Sequence, residues 1–426
     1  PRNQFSLKMI KEIILSQNKS FVEKILFFSF SIYPISFLIG NFIINLFLAI
    51  FFLSFVIGLF YNKFKIDNQN KILLYILLFL FTSLIINLIF SNNFNLTFPR
   101  VLKFILIIGS ILSFNQLIIS YTEKELNSLY KIWAIIFFIV ILDLIFELIF
   151  KSNIIGLSSK IPGRLSSFTG KEMIIGHYFS AFCLIVMTYI HLNFKKITIG
   201  FFVALLFIVL SFLIGERSNF IRTLIILSAF IFFIYDIKLR YKILSFSTII
   251  LLFFSILIFN EDYKNRYFVQ FSKVLAKNGI SFYLDNSFYG AHYKVAYEIF
   301  KDNPLFGVGI KNFRIESFSE KYENLDHSEP ERRGNTHPHQ VHYELLAETG
   351  LFGYITFMIF ILVSFYFFLK SYKKNKNIYQ FSGMLFVLIN LVPLLPSGSF
   401  FSTYSAGLFW INYSIMVGYI GKESKF

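Results

Sequence analysis

From Lys24 onward the chain alternates long runs of Phe, Ile and Leu with short polar breaks. Runs near the twenty residues that a bilayer requires fall at about 24–40, 42–60, 71–90, 100–120, 130–150, 172–193, 196–214, 217–235, 241–259, 350–370, 378–395 and 400–420. This pattern predicts an all-α, polytopic integral membrane protein with about 12 transmembrane helices. One polar interval, 260–349, is long enough to form a small helical domain outside the bilayer. In it Tyr293, Ala296, Ile299 and Phe300 make a helical stripe that Asp302-Asn303-Pro304 ends, and Gly307 and Gly309 permit a tight turn. The charge-rich stretch 316–333 has few aliphatic residues and reads as a mobile flap.

Composition sharpens this picture. Of 426 residues 56% are hydrophobic and only 15% charged, and the mean hydropathy is +0.65, which excludes a soluble globule. A net charge of +16 does not imply nucleic acid, because the Lys and Arg residues lie in short turns and form no aromatic-interleaved patch. Alternate turns carry Lys63, Lys65 and Lys71, then Lys124 and Lys131, Lys195 and Lys196, Lys238, Arg240 and Lys242, and Lys370, Lys373, Lys374 and Lys376, with Lys422 and Lys425 at the end. The positive-inside rule makes these turns cytoplasmic and puts both termini inside. The expected organisation is a cytoplasmic or interfacial segment 1–23, spans 1–9 over 24–259, an external loop 260–349, spans 10–12 over 350–420 and a cytoplasmic tail 421–426. Phe5, Leu7, Ile10, Ile13 and Ile14 suit a first segment lying along the membrane surface. The single cysteine, Cys183, has no intrachain disulfide partner and says nothing of redox compartment.

Candidate chemistry gathers where the external loop meets the tenth span, in Asn-Thr-His-Pro-His-Gln-Val-His-Tyr-Glu from Asn335. Pro338 suits the first position of a helix, which puts His339 in the first turn, where the positive dipole end keeps an imidazole neutral near pH 7. Helical spacing aligns His339, His342 and Leu346, and Gly350 suits a helix stop. Three readings are open for His337, His339 and His342. They are zinc ligands, surface histidines without a role, or a general base with supporting neighbours. The base reading is carried forward, since Pro338 turns His337 from the helical pair and no cysteine is near.

Charges in or beside spans point to the same end. Arg217 opens the eighth span, Arg222 lies one and a half turns deeper, Arg100 and Lys103 begin the fourth, and Arg164 precedes the sixth. Asp143 and Glu147 are candidate buried counter-ions. Arginine's planar fork matches phosphate, so a diphosphate is the guest that such a mouth predicts. With a histidine to take a proton, the combination suggests transfer of a group from a lipid diphosphate to a hydroxyl. A polytopic transporter or flippase is the rival class; it is expected to place ions near mid-membrane between inverted repeats.

Two stretches resemble a known family. Pro304-Leu305-Phe306-Gly307-Val308-Gly309-Ile310-Lys311-Asn312-Phe313 is similar to the P-x-x-G-x-G-x-x-N-F motif of the bacterial O-antigen ligase and O-antigen polymerase superfamily. His339-Gln340-Val341-His342-Tyr343 with Glu348 and Gly350 is similar to its H-N-x-x-L…E-x-G motif, with Gln in place of Asn. The resemblance implies a metal-independent, cofactor-free inverting transfer of a glycan from an undecaprenyl-diphosphate carrier. The acceptor is then lipid A-core for a ligase, or a second lipid-linked glycan for a polymerase, at the periplasmic face of a bacterial inner membrane. It implies essential roles for His339 and Arg217. The family's second arginine falls where this chain has Tyr289-Gly290-Ala291-His292, so His292, Arg314, Arg164 or Arg222 supplies the further diphosphate contact, with His337 and His342 in support.

Overall fold

The computed structural model describes residues 19–66, 68–194, 196–269, 279, 287–325 and 330–422. The interfacial stretch 1–18, Lys195, Lys425 and the tail 423–426 lie outside the described residues. The described chain is helical, with no strand. In chain order the helices are α1 (Phe21–Ile39), α2 (Asn41–Phe60), α3 (Asn68–Ile89), α4 (Phe94–Ser120), α5 (Glu123–Phe150), α6 (Ile175–Asn193), α7 (Ile197–Leu213), α8 (Arg217–Ile234), α9 (Leu239–Phe259), α10 (Phe288–Asp302), α11 (Val341–Asn375), α12 (Ile378–Asn390) and α13 (Thr403–Gly418).

Among the described residues nine of these are long and apolar enough to cross a bilayer, namely α1–α6, α8, α9 and α11. The apolar α7 and α12 are shorter, and α13 is short and buried along its length. The last two runs were expected at 378–395 and 400–420; residues 391–402 instead form a non-helical connection. Pro393 and Pro396 explain it, since each removes a helix donor and disfavours helix at the residue before it.

The bundle is built round α6 and α13, whose side chains are almost all buried, and large side chains such as Phe60, Phe233 and Phe259 face outward as lipid-facing residues do. Polar side chains inside bond across helices. Trp133 Nε1 donates to the Phe30 carbonyl at 2.7 Å, Ser113 to that of Phe51 at 2.7 Å, and the hydroxyls of Thr188 and Ser382 meet at 2.6 Å. Leaving such a group unpaired in an apolar interior is costly, which fixes helix register.

The two ends of the bundle differ. At one, Lys422 pairs with Glu123 and the side chains of Asn127 and Asn193 bond each other. The other carries the 151–174 loop, the Gly215 turn, α10 and its neighbours, and residues 391–402. There the two sequence motifs pack on each other through peptide groups. Val308 N–H donates to the Ala347 carbonyl at 3.0 Å, Gly309 N–H to Glu348 at 2.9 Å, Leu351 N–H to Pro304 at 2.8 Å and Phe352 N–H to Leu305 at 3.0 Å. Gly307 and Gly350 both have positive φ, and a Cβ on either would lie within 2.5 Å of the other segment's backbone. Gly350 thereby breaks α11 after Thr349, where the sequence anticipates a stop. Asn87 of α3 locks the joint, donating to the carbonyls of Phe306 at 2.7 Å and Glu348 at 2.9 Å.

The expected flap is packed where it is described. Tyr322 is buried with Val295, Ile299 and Phe313 and donates to Asp302 at 2.9 Å, and Arg333 is buried and donates to the Ser319 carbonyl at 2.9 Å.

Candidate active site

Helix α11 starts at Val341, three residues later than Pro338 predicts. Its cap is Gln340, whose side-chain oxygen accepts from the N–H groups of His342 at 2.7 Å and Tyr343 at 3.0 Å. His339 therefore lies before the helix, in a left-handed conformation (φ 57°), and Ser397 N–H holds its carbonyl at 2.6 Å. The first-turn placement of His339 and the shared stripe with His342 are corrected accordingly. His342 instead donates from Nε2 to the Leu391 carbonyl at 2.8 Å and accepts from the Tyr354 hydroxyl of α11 at 3.1 Å, so both its nitrogens are engaged and the first ties α11 to the 391–402 connection.

His339 stacks between aromatic neighbours. Its ring centroid lies 4.0 Å from that of His337, 5.4 Å from His292 and 5.4 Å from Tyr289. The sequence joins His337 and His339; the fold adds His292 from α10. Asn335 sits at the centre. Its Oδ1 accepts from Thr336 N–H at 2.6 Å, which turns Nδ2 toward Nε2 of His339 at 3.3 Å and Nε2 of His292 at 3.4 Å. An amide N–H donates only to an unprotonated ring nitrogen, so both imidazoles present a lone pair there. Burial lowers His339 and His292 to about 4, the latter aided by repulsion from His339, and holds His337 well below its ordinary value. His339 is thus neutral because it is desolvated and not because of a helix dipole. Among the described residues no group of three or more His, Cys, Asp or Glu is arranged to hold a metal.

A basic cluster forms on the same end of the bundle. Arg217 opens α8 as expected, and its one side-chain hydrogen bond among the described residues is long, 3.5 Å to the Arg266 carbonyl. Arg164 pairs with Glu216 at 3.4 Å and donates to the Met173 carbonyl, and Arg266 donates to the Gly215 carbonyl. Burial and the adjacent Arg164 and Arg217 hold Arg266 below the usual guanidinium value. Among the described residues three guanidinium groups stand against the one carboxylate of Glu216, a balance that favours an anion. Arg266 and Glu216 were missed as site residues, although Arg266 stands in the first polar run after α9 and Glu216 directly precedes Arg217.

Asp143 and Glu147 do not serve as counter-ions for these arginines. Asp143 accepts from Ile154 N–H at 2.9 Å and the Ser167 hydroxyl at 2.5 Å, and Glu147 from the N–H groups of Ser166 at 3.0 Å and Ser167 at 2.7 Å. They fold the loop that presents Arg164. Arg222 is buried and already committed, donating to Asn219 Oδ1 at 3.1 Å and the Pro396 carbonyl at 2.6 Å. Arg314 lies apart from the basic cluster, within electrostatic reach of Arg100.

Residues 201–358 match the family model of O-antigen ligases. The match bears out the O-antigen ligase/polymerase superfamily resemblance drawn from the motifs, and it implies a glycosyltransferase-type enzyme in a multi-pass membrane protein. Its bounds take in Arg217, Arg222, Arg266, His292, Arg314 and the His337–His342 stretch, while Arg164 lies outside them. No curated protein matches the chain.

Proposed function

We propose that this protein transfers a glycan from an undecaprenyl-diphosphate carrier to an acceptor hydroxyl at the periplasmic face of a bacterial inner membrane. The supporting observation is the pairing, at one end of the bundle, of a neutral buried imidazole with three clustered arginines. The Lys/Arg-rich turns at the opposite end orient that end outward.

In this reading the donor's diphosphate rests on Arg217, Arg164 and Arg266. His339 Nε2 takes the acceptor's hydroxyl proton as the Asn335 amide yields its place, and the freed oxygen pair attacks the anomeric carbon from the face opposite the diphosphate. The carbon–oxygen bond to phosphate breaks, its electron pair leaves on the phosphate oxygen, and the configuration inverts. The arginines neutralise that developing charge, so the scheme calls on neither a metal nor a cofactor. His292 and His337 keep the base desolvated, Arg222 and His342 position the connection behind it, and Arg314 lies outside the diphosphate contacts.

Purified protein incubated with a lipid-diphosphate glycan and two acceptors, a lipid A-core and a second lipid-linked glycan, tests this. Glycan on the first acceptor means ligase and on the second polymerase. Release of lipid diphosphate with free glycan, and none on either acceptor, would refute transfer in favour of hydrolysis.

A further inference from the structure

A second charged pocket, of roughly 540 Å³ with its open mouth, lies between α3, α4, α11 and α13. Leu80, Leu84, Phe104, Ala406 and Trp410 give it apolar walls. Among the described residues Arg100 and Lys103 are its charged lining residues. Lys103 stands nine residues into α4, about 13 Å along its axis at the usual rise per residue. Its ammonium donates to the Thr403 hydroxyl at 2.7 Å, and among the described residues neither it nor Arg100 forms an ion pair.

The surroundings do not neutralise them. Lys311, Arg314, Glu344 and Glu348 are the other charged groups in electrostatic reach. Lys311 and Glu344 satisfy each other 3.8 Å apart, with Ser399 bridging them. Arg100 then has Arg314 and Glu348 in reach, and Lys103 has Arg100 and Lys311, so among the described residues the cations here outnumber the carboxylates. Holding unpaired cations at this depth in a bundle is costly. An anion that brings its own hydrocarbon would remove that cost and fill the apolar walls together.

We infer that this pocket binds a membrane amphiphile, with its phosphate on Arg100 and Lys103 and its hydrocarbon against Leu80, Leu84, Phe104 and Trp410. A bulk anionic phospholipid and a phosphorylated glycolipid share this chemistry. The inference does not depend on the proposed transfer reaction. Phe400 also lines the neighbouring cavity beside Ser397, whose N–H holds the His339 carbonyl, so an occupant lies one segment away from the imidazoles.

Native mass spectrometry of the full chain in detergent, titrated with phosphatidic acid, a diphosphorylated disaccharide lipid and diacylglycerol, tests this. Both phosphate lipids are expected to bind at least tenfold more tightly than diacylglycerol, the scale of a charge-assisted hydrogen bond. The tighter of the two identifies the source. In Arg100→Gln/Lys103→Gln the advantage falls to within about twofold. Ala406→Trp, which fills the pocket and keeps both charges, weakens all three lipids. Equal binding of diacylglycerol by the wild type, or an undiminished phosphate advantage in a double variant with unchanged thermal unfolding, overturns the inference. So does unchanged binding in Ala406→Trp.

Discussion

Arg222 and His339 are joined through one peptide unit: Arg222 donates to the carbonyl of Pro396, and the next N–H, that of Ser397, donates to the carbonyl of His339. The cation in α8 therefore sets the position of the imidazole without touching it. Arg217, five residues earlier, has among the described residues the long bond to Arg266 alone and is available to a ligand. Two arginines on one helix so have separable roles.

Arg217→Lys is expected to lower turnover by about 10²–10³-fold with unchanged thermal unfolding, because lysine offers a point charge where the leaving phosphate needs a fork. Turnover within about threefold of wild type at equal expression would move the diphosphate role to Arg164 or Arg266.

Arg222→Gln is expected to destabilise the protein by about 1–3 kcal/mol, since it strips a buried carbonyl of its donor. Denaturation in detergent measures it. An unfolding transition identical to wild type would show that Arg222 holds nothing.

His339→Ala should cost about 10²–10⁴-fold in turnover, the usual contribution of a positioned base, while His342→Ala acts more weakly by loosening residues 391–402. Equal losses in both variants would contradict the division of roles drawn from their separate partners.

The pH profile carries a sign. His339 and His292 lie at about 4 in the folded protein and near 6.5 when unfolded. Between those values the unfolded chain binds more protons, so stability falls as pH drops from about 6.5 towards 4. The base stays competent through that window, and the acid limb of kcat/KM is expected near pH 4. Asn335→Asp places a carboxylate beside both rings, favours their cations and should move that limb upward. A wild-type limb at pH 6–7 would mean a solvated base.

Much of the fold was legible because a span announces itself by length and apolarity, and Pro393 and Pro396 already mark the connection that the apolar runs were allowed to override. The motif glycines were legible for a physical reason as well, since Gly307 and Gly350 meet backbone to backbone. What was not legible depends on contacts remote in sequence. Pro338 favours an earlier helix start, but Ser397 N–H holds His339 in a left-handed turn and Gln340 caps the helix instead. Asp143 and Glu147 look like partners for arginine until Ser166 and Ser167 are brought onto them. His292 joins the histidines only because α10 packs on the start of α11.

The backbone hydrogen bonds between residues 304–309 and 347–352 tie together the two ends of the segment that carries His337 and His339. With its ends fixed, that segment can lengthen at small cost, since loop-closure entropy rises by only about 0.6 kcal/mol for each doubling of length. Insertions between Asn312 and Asn335 would reshape what meets the imidazoles and leave the helices below undisturbed, so a change of acceptor in evolution requires no change of framework.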